Sequence, residues 1–279
     1  MKSLVAVFVS LLAVGQAALA EDATHVLLVG HKLDHPFGTH MYLQECRLLA
    51  KCLNQNPGIK ATVSNGWPSD ESVLKKIDAL VFYSSPAADI MLSDKNKSQA
   101  EALFKRGVGY TAIHWSTGAN LLNGPRYERL LGGWFNFKFS GINVGKQRLI
   151  QIDPKHPICN GWTEYELHDE FYLRMKLSPK AKPLLKVTTK EKEEIVAWTL
   201  EREGGIKGRS FGITLGHFHP NYGIESFRKA IINGILWTAN IEVPTNGAKV
   251  TIDSEKDMKL GPDTRKKNNP PPTFFGKIS

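Results

Sequence analysis

Nine histidines run along this sequence, and several stand where an apolar run gives way to Gly or Pro. Imidazole is the side chain that can take a proton or hold a metal ion near neutral pH. The apolar run 25–30 ends at Gly30 and leads into His31-Lys-Leu-Asp34-His35-Pro36, with His40 just beyond. Such a density suits a substrate or metal site; solvated rings on a polar loop are the alternative. The run 107–114 ends at His114, followed by Trp115-Ser116-Thr117-Gly118. α/β folds present a nucleophile at such a strand-to-helix turn. A histidine there serves as general base or ligand, or caps the following helix.

Two further clusters lie downstream. In His168-Asp169-Glu170-Phe171-Tyr172 an extended backbone sends adjacent carboxylates to opposite faces. One can then face a pocket while the other orients a neighbour; a surface acidic pair is the plainer reading. In Gly216-His217-Phe218-His219-Pro220 the His-x-His spacing at a strand end can put two imidazoles on one side, a geometry metals use. His217, directly after Gly216, is the better placed of the two. His156-Pro157-Ile158 adds a further ring in a loop.

The elements that must position these residues alternate. Apolar runs at 25–30, 59–63, 78–83 and 107–114 predict strands. Between them, residues 39–55 and 93–105 carry helical spacing, and cap-type residues at 69–72 open another helix. Strand and helix in turn predict βαβ units: a mostly parallel sheet with helices on both faces. Ligands then bind at the carboxyl ends of the strands, where His31 and His114 stand. No GxGxxG follows the first strand, so a dinucleotide fingerprint is absent. The second half is less regular, with strands expected at 147–152, 194–199 and 209–214, a turn at 203–208, and an amphipathic helix at 227–239.

Lys2, the apolar stretch 4–14 and Ala18-Leu19-Ala20 have the order of a secretory signal peptide, with cleavage expected after Ala20. The expected location is therefore secreted or periplasmic. The apolar stretch is too short for a membrane span, which takes roughly 20 residues. Residues 21–245 are expected to form one α/β domain. Residues 246–279, charged and holding Asn268-Asn-Pro-Pro-Pro272, should be an extended or disordered tail. The net charge of +9 comes from scattered basic residues without an aromatic-interleaved stripe, which argues against nucleic acid. The three cysteines, Cys46, Cys52 and Cys159, show no CxxC or zinc spacing and read as buried or idle thiols.

Taken together, His114 at the end of a Gly-rich strand, His156-Pro157-Ile158 with Gly161, Asp169-Glu170 with Tyr172, Ala197-Trp198-Thr199, Gly208-Arg209 leading to Thr214-Leu215-Gly216-His217, and Gly234-Ile-Leu-Trp237 resemble the ThuA-like (trehalose utilisation) family. The resemblance spans residues 25–240. It implies a flavodoxin-like fold similar to class I glutamine amidotransferases, and a link to trehalose and related sugars, including sugars oxidised at the ring. The amidotransferase cysteine is replaced at the elbow by His114, so glutamine hydrolysis is not expected. The resemblance implies a polar site of His114, Asp169, Glu170 and His217, with the His31 loop contributing. Trp115 is bulkier than the small residues usual at that turn.

The expected function is that of a carbohydrate-active enzyme, whether isomerase, lyase or hydrolase. His114 is the candidate base, His217 its partner or a ligand, and Asp169 or Glu170 the orienting carboxylate. His31 and His40 would contact substrate, and Trp115 and Tyr172 would stack on the sugar face. The alternatives are a sugar-binding module without turnover, or a metal-dependent hydrolase holding a divalent ion such as zinc on His31, His114 and His217. The expected partner is a small carbohydrate, with homo-oligomer formation left open.

Overall fold

The computed structural model describes residues 23–203 and 207–263. The expected signal segment, the centre of the 203–208 turn and the last sixteen residues of the tail lie outside the described residues.

The elements run β1 (Thr24–Gly30), α1 (Tyr42–Leu53), β2 (Ile59–Asn65), α2 (Glu71–Lys76), β3 (Ala79–Phe82), α3 (Ala87–Met91), α4 (Lys97–Lys105), β4 (Gly109–Ile113) and α5 (Gly124–Leu131). They continue with β5 (Gly133–Trp134), β6 (Gly141–Gln151), β7 (Tyr165–Leu173), β8 (Lys176–Leu177), β9 (Lys182–Thr189), β10 (Lys192–Glu201) and β11 (Arg209–Ile213). Helices α6 (Glu225–Thr238) and α7 (Ser254–Asp257) close the order. Nine strands form one sheet in the order β2-β1-β3-β4-β11-β10-β9-β6-β7, and β5 pairs with β8 apart from it.

The five strands β2, β1, β3, β4 and β11 run parallel to one another. In β1, Val26 and Leu28 enter one apolar cluster with α1 and α6, while Leu27 and Val29 enter a second with α2 and α4. That alternation explains the unbroken apolar run: a strand covered on both faces has no polar side. The predicted helices on both faces are present. From β11 outward the sheet turns antiparallel, through β10, β9, β6 and β7. Strands β7 and β9 add pairings beyond the strands expected from the sequence.

Helix α1 is set by its buried stripe of Tyr42, Cys46, Leu49 and Leu53. It stops at Asn54 and the left-handed Gly58. After α6 the chain does not leave the body. Ala248 and Val250 are buried, and residues 249–257 bond to α1 and the turn that follows it. Between Ala248 and Met258 the chain therefore runs along the body, with the short helix α7 within it. All three cysteines are free and buried, as expected for idle thiols.

Candidate metal centre

Three strand-end loops converge at the carboxyl edge of the sheet. Strand β4 delivers His114 into a 3-10 turn, β11 leads through Gly216 to His217, and the loop after β1 ends at His40. Two of these residues have left-handed backbone, His40 at φ 47° and His114 at φ 52°. Such strain costs on the order of 1–3 kcal/mol per residue and persists where the surroundings impose it. At the third position glycine is required. Gly216 has φ 112°, and a Cβ there would sit 2.7 Å from the Tyr222 hydroxyl.

The loops also bind one another. The His40 N–H donates to the His217 carbonyl at 3.1 Å, and the His219 N–H donates to the Gly38 carbonyl at 3.0 Å. Asp169, wholly buried, accepts from the N–H of Gly216 at 2.6 Å and of His217 at 3.0 Å. Burial pushes the Asp169 carboxyl up to about 7, against the pull of those backbone bonds. The alternation of β7 explains its place. Its neighbours Leu167 and Phe171 are core residues, while Glu170 and Tyr172 line a pocket.

Three ring nitrogens meet at the centre. His114 Nε2 lies 2.9 Å from His40 Nε2 and 3.1 Å from His217 Nδ1, and the last two are 3.0 Å apart. Protonation follows from the outer nitrogens. His114 Nδ1 is 2.7 Å from the Thr214 carbonyl, which only accepts, so Nδ1 carries the hydrogen and Nε2 is bare. Tyr42 donates to Asp34 at 3.1 Å, and its hydroxyl lies 2.8 Å from His40 Nδ1. His40 Nδ1 also lies 3.3 Å from Asp34 Oδ1, which only accepts, so Nδ1 is assigned the hydrogen and Nε2 is bare as well. Two lone pairs thus face each other at 2.9 Å, an arrangement that calls for a proton or cation between them. Burial lowers His40 and His114 below their ordinary value, and lowers His217 to about 3. The rings are neutral, the form that binds metal.

Zinc–nitrogen bonds of about 2.0–2.1 Å in a tetrahedral site put ligand nitrogens roughly 3.3 Å apart. The observed triangle is within a few tenths of an ångström of that. Glu170 Oε1 stands 3.7 Å from both His114 Nε2 and His217 Nδ1. The Tyr172 hydroxyl is 3.3 Å from His114 Nε2. Beside them opens a small pocket lined by His35, His40, Trp115, Phe137, Ile142, Glu170 and Tyr172. Its aromatic wall is braced: Tyr172 packs on Phe135 at 4.3 Å, and Phe135 on Phe137 at 4.9 Å.

Of the residues singled out from the sequence, His40, His114, His217, Glu170, Trp115 and Tyr172 gather here. Asp169 stands behind, holding the backbone of the loop. His31, half-buried on the loop after β1, is not part of the convergence. His40 occupies the third ligand position that the metal alternative gave to His31. His219 diverges from His217 because a 3-10 turn starts at His219 and ends the strand-like spacing. His156 caps a short turn by accepting from the Ile158 N–H. Three residues support the centre: Asp34 and His35 belong to the His-rich loop singled out from the sequence, and only Tyr42 was not. Asp34 and Tyr42 orient His40, and His35 packs on it with ring centres 3.6 Å apart. Burial opposes the ionised form of Asp34, but hydrogen bonds with His35 and His40 hold it below the usual carboxylate range.

Fold and site together define an α/β protein with three histidines converging at the sheet's carboxyl edge. The chain belongs to the ThuA family, described as trehalose utilisation, which it matches over residues 27–238. Among solved structures it is similar to a ThuA-like protein of Parabacteroides merdae, with TM-score 0.61 and 16% identity. That match covers 86% of this chain and 100% of the other. A ThuA-like protein of Bacteroides uniformis is similar with TM-score 0.58 and 15% identity, covering 85% of this chain and 99% of the other. No curated protein matches the chain.

Proposed function

We propose that this protein is a metal-dependent enzyme acting on a small carbohydrate, with His40, His114 and His217 as ligands of a zinc-type divalent cation. The observation that carries this reading is the convergence of three imidazole nitrogens, each within 3.1 Å of the other two. When bound, the cation would polarise a sugar oxygen as a Lewis acid.

The protein's own groups do the rest. Glu170 reaches both the triad and the pocket, and burial raises its carboxyl, which suits a group that takes and returns a proton. His114, fully buried and tied at Nδ1 to Thr214, suits a ligand better than a base that must reach substrate carbon. The Tyr172 hydroxyl is placed to donate to a developing oxyanion. Trp115 and Tyr172 line the pocket and offer ring faces to sugar C–H surfaces. The family's description supports a sugar substrate. The basic-then-apolar order of residues 1–20 supports export, which N-terminal sequencing of the mature protein would check.

The test is elemental analysis of full-length protein purified without chelator, then calorimetric titration with trehalose and glucose. About one divalent ion per chain, and sugar binding that disappears on chelation, are expected. Failure to take up zinc or cobalt at neutral pH would sink the metal reading. Metal uptake with no sugar binding would sink the carbohydrate reading alone.

A further inference from the structure

Behind the triad, on the far side of the same loop, lies a buried acid–imidazole pair. Glu45, on α1, is wholly buried, and its Oε1 meets His219 Nδ1. The second edge of the His219 ring faces the Met258 carbonyl, with Nε2 2.8 Å from the oxygen. A carbonyl only accepts, so Nε2 carries a hydrogen. At Nδ1 the pair is either imidazolium with carboxylate, or neutral imidazole accepting from a protonated acid. Both states keep both contacts, so the ring is clamped at two edges.

The Met258 end of the clamp belongs to a strap. Asn56 exchanges two hydrogen bonds with the backbone of Lys249, at 2.9 and 3.1 Å. Gln55 does the same with Thr251, at 3.0 and 2.7 Å. Lys51 pairs with Asp257, and Arg228 donates to the Val250 carbonyl at 3.0 Å. Lys51 and Glu45 share α1, and Gln55 and Asn56 follow directly from its end. The helix is therefore the plate on which both strap and acid are mounted. An apolar side chain at Glu45 would fill the core at less desolvation cost, but it would leave the His219 ring free to shift.

Any such shift reaches the ligands. His219 is two residues from His217, and its N–H holds Gly38, two residues before His40. We propose that Glu45, His219 and the 249–258 strap are positioning elements of the metal centre, holding His217 and His40 at ligating distance. This rests on the metal reading above. Outer groups that orient ligands typically contribute about 10- to 100-fold in metal affinity.

The test is cobalt(II) titration of the otherwise full-length protein, read by calorimetry and by the visible spectrum of the bound ion. E45A, H219A and a chain ending at Ile252 should each lose on the order of tenfold or more in affinity. E45Q should stay close to wild type. Its amide can donate to Nδ1 while Nε2 still donates to Met258, so both contacts survive. A role in folding alone would lower the melting temperature and leave cobalt affinity and spectrum unchanged in the folded variants. That result overturns the proposal, as does an E45Q loss equal to that of E45A. If E45A and H219A do not fold, the shortened chain decides, because it keeps the Glu45–His219 pair and removes the strap's far end with the residues that follow it. Wild-type protein that takes up no cobalt overturns the metal reading and this one with it. Uptake by wild type with unchanged variants overturns this one only.

Discussion

The loop leaving β11 gives its two histidines opposite surroundings. On the front, His217 faces two other imidazoles, and burial with the nearby His40 and His35 lowers it to about 3. On the back, burial alone would also lower His219, but the Glu45 hydrogen bond and charge outweigh it and raise it. The front is short of hydrogens: three nitrogens compete where none can be shared among them all. At the back the His219 ring has a partner at each edge, Glu45 and the Met258 carbonyl. The same side chain two residues apart is a candidate ligand in one case and a proposed strut in the other, and the difference lies entirely in what it meets.

The largest effect that would break this comparison is expected at the front. H114A should abolish stoichiometric cobalt uptake, because removing one of three ligands leaves a pair too weak to hold the ion. Retained wild-type affinity in H114A would mean the front rings are ordinary buried histidines.

Acid should act next, and later than usual. Ligand rings must be neutral to bind, and free histidine titrates near 6.5. Burial disfavours the charged form of all three, so cobalt should stay bound as the pH falls through 6.5 and leave well below it. Release followed by the visible spectrum with a midpoint at or above 6.5 would show that the rings are solvated.

G216A probes the hinge between front and back. A left-handed alanine costs roughly 1–2 kcal/mol, and its Cβ would press on Tyr222. A melting temperature lower by a few degrees is expected. An unchanged melting curve would show that the loop relaxes freely. The smallest effect on the metal is expected from W115A, which should weaken sugar binding in calorimetry and leave cobalt affinity as it was. A matching loss of cobalt would place Trp115 in the ligand frame instead of the pocket wall.

Much of the fold was legible. The apolar runs that became β1, β3 and β4 stand out because a strand covered on both faces has no polar alternation to hide it. The antiparallel extension was harder. Strand β6 is exposed at every second position, and β7 interrupts its apolar side with Asp169. Asp169 looked like a catalytic candidate because a carboxylate beside Glu170 is conspicuous in a sequence. Its partners are three backbone N–H groups, of Glu170, Gly216 and His217, which no residue pattern displays.

The sequence by itself determined the parallel αβ framework and the concentration of histidines at strand ends, because burial on two faces and loops at the carboxyl edge follow from local apolar spacing. Only the tertiary structure decided which rings meet. His40 was chosen over His31 by a left-handed turn and a backbone bond to a loop 177 residues away. Glu45 was invisible, since a carboxyl on a helix reads as a surface residue until a distant imidazole and a carbonyl from the strap enclose it.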